Sequence, residues 1–388
     1  MAEPPAGSSI DNSERLQGLQ VLRGLAALLV AWSHVQYNLG AAPSYFANKP
    51  WLTMTIGAIG VDIFFVVSGF VIAMTAARME QNWRGFLVNR ISRIVPLYFA
   101  VSGALLVLIV AGFTEFGIRV QSFNQIFNSF EFIPLFDRAT FTDPLCGNGW
   151  TLSFEAWFYI LFAGLMSQIG RRAGTMLPVI MVAGVIMTAA FYRSENWYLP
   201  KFLFHPMTLE FCAGCLLYRC RNWIGSRTLL IMCLLLPIFL FLALHEQVLG
   251  QHDRIMEDAG LGFLRAGIWG GFSFCLVGII TRLDIKRHLK WPGFLLLLGD
   301  ASYSMYLIAP IIIPVFWNVT LHVFHSSRPS PFINGCVYLL GTIAGGLLSW
   351  KYFEVPATKW TKKLLAGSPG KVLPGPVVLN VESVQTAP

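Results

Sequence analysis

The sequence predicts an all-α protein, a polytopic membrane helix bundle of about ten transmembrane helices with both termini in the cytoplasm. Its 388 residues are 55% apolar and only 12% charged, whereas a soluble domain has about 25% charged residues. The apolar residues form about ten long runs. About two thirds of the 28 Lys and Arg residues lie after the even-numbered runs or in the C-terminal tail.

The orientation in the membrane follows from these basic residues. Cytoplasmic loops are enriched in Lys and Arg, so the richer side is cytoplasmic, and an even number of spans returns the chain to that side. The net charge of +8 belongs to these loops, and we expect no nucleic-acid partner. Three parts are predicted: a cytoplasmic lead-in at 1–20, a membrane domain at 21–350, and a cytoplasmic tail at 351–388 that is basic and then disordered.

Each predicted span is an apolar run that polar or basic residues bound on both sides. The ninth run is interrupted by Gly299 and Asp300, and the longest connection, 114–148, has no strong periodicity. In chain order the spans are about 21–39, 53–77, 94–113, 150–168, 174–192, 203–218, 228–244, 262–281, 295–319 and 333–350.

The first span contains two titratable residues, Arg23 and His34. Eleven residues at ~100° each bring a helix back to within ~20° of its starting direction, so both side chains lie on one face, ~16 Å apart. Titratable groups inside a bilayer are costly, and by default they mark a functional site. A snorkelling arginine with a structural, hydrogen-bonded histidine is the alternative interpretation.

Two acidic residues lie at comparable depth in other spans. Counted from the predicted span ends, His34, Glu155 and Asp62 are ~9, ~8 and ~14 Å below the outer surface. A histidine and carboxylates at one depth can form a general base with its orienting acid. They can also form a polar network that only holds the helices together.

Arg90 and Arg93 are three residues apart at the cytoplasmic end of the third span, so one helix face offers two guanidinium groups. Such a face suits the phosphates of a ligand. It also suits lipid headgroups or simple positive-inside anchoring.

The remaining patterns indicate packing rather than chemistry. The sequence contains no P-loop, dinucleotide fingerprint or zinc-ligand spacing, and we expect no metal. Gly57, Gly60 and the pair Ser68–Gly69 are interpreted as sites of close helix packing. Cys212 and Cys215 have CxxC spacing without a second pair, which is more typical of core packing than of a metal or redox site.

Six segments, taken in order, resemble the motifs of the acyltransferase-3 family of integral-membrane acyltransferases. Any one segment is weakly specific, whereas six in the right order over nearly the whole chain are strongly so. The subset with this first helix resembles the exopolysaccharide O-acetyltransferases of bacteria. The segments are LQVLRGLAALLVAWSHV with Arg23 and His34, GAIGVDIFFVVSGFVI, NRISRIVPLYF with Arg90 and Arg93, NGWTLSFEAWFY with Trp150 and Glu155, LGDASYSMYLIAP with Ser302, Tyr303 and Tyr306, and YFEVPATKW with Glu354 and Pro356.

The resemblance implies an enzyme that transfers an acyl group, usually acetyl, from acyl-CoA to a hydroxyl of a polysaccharide or its lipid-linked precursor. It implies that Arg23, Arg90 and Arg93 hold the CoA phosphates. His34 would act as a general base on the acceptor hydroxyl or as a transient acyl carrier, and Glu155 would orient it. Four further residues are expected to support the substrate or the site: Asp62, Trp150, Ser302 and Tyr303.

One position departs from the family pattern. Many members have His before the Pro of the late-helix motif, whereas this chain has Ala309, which leaves His34 as the only histidine in the matched motifs. The resemblance further implies acetyl-CoA as donor, membrane lipids and polysaccharide-assembly proteins as partners, and the bacterial cytoplasmic (inner) membrane as location. A transporter or flippase of a glycan or lipid is the alternative function, and internal repeats or paired broken helices would favour it.

Overall fold

The computed structural model describes residues 16–39, 54–79, 81–112, 122–137, 140–191, 198–287, 289–323 and 331–366. Within these ranges the chain is helical, apart from turns and one antiparallel pair of short strands, β1 (Leu135–Asp137) and β2 (Thr140–Thr142). The predicted polytopic helix bundle is confirmed.

The helices follow one another with mostly short connections. A π-helical turn, Trp350–Glu354, joins the last two. In chain order they are α1 (Gln17–Leu39), α2 (Met54–Gly57), α3 (Ile59–Met79), α4 (Trp83–Val110), α5 (Phe123–Glu131), α6 (Gly149–Ile169), α7 (Ala173–Phe191), α8 (Tyr198–Leu203), α9 (Thr208–Cys220), α10 (Ser226–His245), α11 (His252–Glu257), α12 (Ala259–Arg287), α13 (Gly293–Asp300), α14 (Ser302–Val323), α15 (Pro331–Ser349) and α16 (Val355–Ala366).

Seven helical stretches of the described residues are long and apolar enough to cross a membrane, and a bent pair, α13 with α14, would make eight. The sequence predicts about ten. The difference has two sources. The stretch Gly149–Phe191 contains two helices, α6 and α7, that the sequence counts separately. The other source is α9, which has only 13 residues, fewer than the ~20 that cross the hydrocarbon core.

The interruption predicted at Gly299 and Asp300 is confirmed as a 67° bend between α13 and α14. Gln20 on α1 stabilises the bend, because its Nε2 donates to the Leu296 carbonyl at 2.9 Å and to Asp300 Oδ1 at 2.6 Å. The same helix places Arg23 next to this broken span.

At the centre of the bundle, α3 is buried on most of its surface and contacts α1, α7, α9 and α12. A Cβ at Gly60 would overlap the Ala26 carbonyl oxygen on α1, and one at Gly69 would overlap the Phe211 carbonyl oxygen on α9. The predicted role of these glycines in close packing is confirmed, because only a residue without Cβ permits such backbone approaches.

The long connection before α6 contains α5 and the β1–β2 pair. Gln125 Nε2 donates to the Asp143 carbonyl at 2.8 Å, and Ser129 Oγ accepts from the Leu145 amide at 3.0 Å. These two bonds hold the segment that leads into Asn148, the residue before the first turn of α6.

Helical structure continues past residue 350, where the sequence places the end of the membrane domain. The π-helical turn buries Glu354, and Ser304 Oγ on α14 donates to its Oε2 at 2.6 Å. The next helix, α16, packs along α4. The tail segment predicted to be disordered, after Gly367, lies outside the described residues.

Candidate active site

A cavity of about 90 Å³ lies between α1, α3, α4, α6 and α14. Among the predicted site residues, the three arginines, Glu155 and Tyr303 line it together. The polar lining consists of Arg23 on α1, Ser68 on α3, Arg90 and Arg93 on α4, Thr151, Glu155 and Tyr159 on α6, and Tyr303 and Tyr306 on α14. We call this space the arginine cavity.

The guanidinium groups of the arginine cavity have two carboxylates near them, Glu155 and Glu354, but no direct salt bridge among the described residues. Over the ranges that the structure describes, Arg23, Arg90 and Arg93 form no salt bridge. Arg90 Cζ instead lies 5.3 Å from the Phe86 ring centroid and 5.2 Å from that of Tyr159. Three guanidinium groups outnumber the two carboxylates near them, Glu155 and Glu354, so the cavity suits an anionic group such as a phosphate.

Glu155 is held by two hydroxyl groups. Ser68 Oγ on α3 donates to its Oε1 at 2.6 Å, and Tyr159 Oη, one turn further along α6, donates to its Oε2 at 3.1 Å. Both donors line the same cavity. The carboxylate therefore faces the arginines in a fixed orientation.

His34 is bound to a different residue, Asn148. Its Nε2 lies 2.8 Å from Asn148 Oδ1, and Asn148 Nδ2 donates to the Tyr306 carbonyl at 2.6 Å. The Tyr306 hydroxyl, which lines the arginine cavity, donates to the Asn148 carbonyl at 3.1 Å. Asn148 thus connects His34 to the wall of the cavity.

The structure does not place Glu155 in the orienting role that the sequence predicts for it. Asn148 occupies His34 Nε2, while Ser68 and Tyr159 occupy the two carboxylate oxygens. The reason is depth: Asn148 immediately precedes α6, and Glu155 follows it by seven residues, which is ~10 Å along the helix axis.

Comparison with known proteins shows the family to which the chain belongs. A family model described as "Acyltransferase domain" (acyltransferase-3) matches residues 16–351. The chain belongs to this family. It is an integral-membrane acyltransferase. No solved structure matches the chain.

Several curated relatives of this acyltransferase are bacterial. The exopolysaccharide production protein ExoZ of Rhizobium meliloti is 28% identical over 333 residues, which cover 84% of this chain and 98% of ExoZ. The putative peptidoglycan O-acetyltransferase YrhL of Bacillus subtilis is 23% identical over 79% of this chain and 52% of its own. The peptidoglycan O-acetyltransferase OatA of Listeria monocytogenes is 28% identical over 82% of this chain and 54% of its own. The acyltransferase therefore spans about half the length of the last two proteins.

Asp62 lies in a buried ion pair with Arg265. Arg265 on α12 donates its Nε to Asp62 Oδ1 at 3.0 Å and its Nη2 to Oδ2 at 2.9 Å, and the two residues are 1% and 0% exposed. Arg265 Nη1 also donates to the Leu249 carbonyl at 3.0 Å, and its guanidinium lies over the Trp269 ring. This bidentate geometry joins α3 to α12, which is a structural role for Asp62 in the acyltransferase.

The other predicted support residues lie around the cavity or behind it. The Tyr303 hydroxyl donates to the Ile94 carbonyl at 2.7 Å, which fixes α14 against α4. Trp150 is buried in an edge contact with Phe154, and Ser302 is fully buried without a hydrogen bond from its Oγ in the described ranges. Ala309 belongs to a buried apolar cluster with Ala31 and Val35, the latter being the neighbour of His34 in sequence.

Cys146 is buried in the segment before α6, and burial raises the pKa of its thiol to about 12, so the thiol stays protonated near neutral pH. In the part of the chain covered by the structure, no group of three His, Cys, Asp or Glu residues is arranged to hold a metal ion.

Three contacts of the site and its surroundings are not predicted from the sequence. They are those of Asn148 with His34, Ser68 with Glu155, and Arg265 with Asp62. Asn148 begins the segment that contains Trp150, but it is uncharged and belongs to no periodic pattern, so no sequence signal marks it as a site residue. The sequence predicts close packing for Ser68 and Gly69 together, whereas the close backbone approach is at Gly69 and Ser68 bonds to Glu155. The importance of Arg265 is predictable from the sequence, because an arginine within an apolar span either pairs with a buried acid or belongs to a functional site.

Proposed function

We propose that this acyltransferase transfers an acyl group, acetyl in particular, from acyl-CoA to a hydroxyl of a cell-surface polysaccharide or of its lipid-linked precursor. The arginine cavity is the observation that supports this most. Arginine binds phosphate through a planar, bidentate fork. Three arginines without an ion-pair partner among the described residues suit the phosphates of CoA.

The relatives support a short acyl group. Two of them are named as peptidoglycan O-acetyltransferases, one of these as putative. The arginine cavity is assigned to the phosphates of the donor, so its size places no limit on the acyl chain at the other end of CoA. Acetyl-CoA is therefore the proposed donor.

The proposed reaction needs a base, because a sugar hydroxyl is a poor nucleophile at neutral pH. We assign that role to His34. As His34 takes the proton, the hydroxyl oxygen attacks the thioester carbonyl, the carbon–sulfur bond breaks, and CoA leaves as a thiolate. His34 then releases the proton, the thiolate becomes a thiol, and the base is regenerated. A transient acyl group on His34 is the other possible role, and it requires one more intermediate.

The proposed orientation puts donor and acceptor on opposite sides. The Arg90–Arg93 end of α4 lies in the cytoplasm, where acyl-CoA enters. His34 lies ~16 Å along α1 from Arg23, toward the outer side of the bacterial inner membrane. Polysaccharide-assembly proteins are proposed as partners, since the relative ExoZ is named for exopolysaccharide production.

The transporter hypothesis has one observation in its favour, the broken span formed by α13 and α14. That break is stabilised by hydrogen bonds from Gln20 to Leu296 and Asp300, and the chain belongs to an acyltransferase family. The enzyme is therefore the function that we propose.

The experiment uses membrane vesicles that contain the protein, radiolabelled acetyl-CoA and a crude polysaccharide acceptor. We expect label in the polysaccharide that mild base releases, as an ester requires, and none with vesicles that lack the protein. Palmitoyl-CoA is expected to be a far poorer donor. Base-stable label, or no transfer from any acyl-CoA, would contradict O-acyl transfer.

A further inference from the structure

Asn148 is a buried amide whose two ends are both engaged. It is 4% exposed, its Oδ1 lies 2.8 Å from His34 Nε2, and its Nδ2 donates to the Tyr306 carbonyl at 2.6 Å. A buried amide is stable only when its donor and its acceptor each find a partner.

The two partners determine which end of the side-chain amide is oxygen and which is nitrogen. A backbone carbonyl such as that of Tyr306 can only accept, so the group facing it must be the NH₂ of Asn148. The carbonyl oxygen of the amide then faces His34, and this oxygen can also only accept. His34 Nε2 must therefore donate, which means that it carries a proton.

The backbone of Asn148 is held as firmly as its side chain. Its carbonyl accepts from the Tyr306 hydroxyl at 3.1 Å. Thr151 Oγ1 lies 3.0 Å from the same carbonyl and 2.7 Å from the Tyr306 hydroxyl, so its single proton can go to either oxygen. Thr151 and Tyr306 line the arginine cavity. The amide therefore has little freedom to turn over or to leave His34.

We propose that Asn148 is a positioning residue that holds neutral His34 as the Nε2–H tautomer, so that Nδ1 carries the lone pair and is the atom that accepts the proton of the acceptor hydroxyl. This inference rests on the proposed function, in which His34 is the base. A neutral amide, rather than the carboxylate of Glu155, then has the orienting role. An amide orients the ring without adding a negative charge next to it.

The direct test is the tautomer itself. Protein labelled with ¹⁵N-histidine is placed in lipid nanodiscs at about pH 8.5, where an ordinary imidazole is neutral. The His34 signals are assigned by their loss in His34→Ala. We expect the protonated-nitrogen signal at Nε2 and the unprotonated one at Nδ1. A protonated Nδ1 would overturn the proposal, whatever the activity of the enzyme.

Three variants test the consequence of the tautomer. Asn148→Leu removes the acceptor at similar volume, Asn148→Asp keeps an acceptor for Nε2, and Asn222→Leu on the surface is the matched control. We expect Asn148→Leu to mix the His34 tautomers and to lower kcat by ~10- to 100-fold with little change in the acetyl-CoA KM. Asn148→Asp should keep the Nε2–H tautomer and recover part of kcat, and Asn222→Leu should behave as wild type.

The outcomes separate this inference from the proposed function. If Asn148→Leu keeps a single Nε2–H tautomer and full kcat, Asn148 is not a positioning residue. If instead the tautomer follows Asn148 as expected but His34→Ala remains fully active, the positioning stands as a structural fact while the role of His34 as base fails.

Discussion

Ser68 on α3 donates a 2.6 Å hydrogen bond to Glu155 on α6, and this bond closes one wall of the arginine cavity. With the second bond from Tyr159, both oxygens of the carboxylate are held. A fixed negative charge among three arginines can orient their guanidinium groups and set the charge that a donor phosphate encounters. Ser68, which the sequence alone assigns to packing, thus holds the carboxylate of the arginine cavity.

The first prediction concerns Ser68→Ala. A hydrogen bond to a charged group contributes ~1.5–3 kcal/mol, so its loss should lower kcat/KM for acetyl-CoA by ~10- to 100-fold. Steady-state kinetics in vesicles measures this. The matched control is Ser167→Ala, near the far end of α6, whose hydroxyl has its bonds in the described residues within its own helix, to the Gly164 carbonyl and from Gln168. A Ser68→Ala enzyme with the kinetics of the control would show that this bond has no part in the reaction.

The second prediction concerns the donor phosphates. Arg90→Ala with Arg93→Ala should raise the acetyl-CoA KM by ~10-fold or more and lower kcat much less, because phosphate binding is lost in ground state and transition state alike. Arg84→Ala is the control, since Arg84 begins the same helix, is exposed and lies against Trp83. An unchanged KM in the double variant would mean that CoA binds elsewhere.

The third prediction concerns the Asp62–Arg265 ion pair. Removing one partner of a buried pair typically costs ~3–5 kcal/mol of unfolding free energy. Glu210, also buried, lies close to both residues, so Asp62→Asn leaves Arg265 with a second acid nearby, whereas Arg265→Met leaves two acids together. Thermal unfolding in detergent should therefore show a larger loss for Arg265→Met. The opposite order would contradict this account of the cluster.

The fourth prediction concerns helix packing. A Cβ at Gly69 would overlap the Phe211 carbonyl oxygen, so Gly69→Ala must separate α3 from α9 and should lower the melting temperature by several degrees. Gly103→Ala on α4 is the matched control, because a Cβ there meets nothing within 4 Å. The control should be neutral or stabilising by up to ~1 kcal/mol. Equal effects of the two substitutions would rule out close packing as the reason for Gly69.

Features that depend on local spacing could be predicted from the sequence. The three-residue spacing of Arg90 and Arg93 and the glycine contacts of α3 follow from helix geometry, and the break at Gly299–Asp300 follows from residue type. Most helix positions follow from apolar runs. The count of spans does not, because composition does not show that α9 stops after 13 residues.

Features that depend on distant pairing could not be predicted. His34 and Asn148 are 114 residues apart, and Asp62 and Arg265 are 203 apart, so no local period relates them. Depth counted from predicted span ends placed Glu155 level with His34, whereas the true partner at that level is Asn148, before the first turn of α6. The predicted depth of α6 is therefore wrong by about two helical turns, and this error is large enough to put Glu155 in the position that Asn148 occupies.

The measurement that tests the central claim most directly compares wild type, His34→Ala and His245→Ala in vesicles with radiolabelled acetyl-CoA and the polysaccharide acceptor. His245 ends α10 with a 71% exposed side chain and is the matched control. We predict base-labile ester with wild type and with His245→Ala, and a rate lower by ~10²- to 10⁴-fold with His34→Ala at equal protein in the membrane. Full activity of His34→Ala would contradict the account.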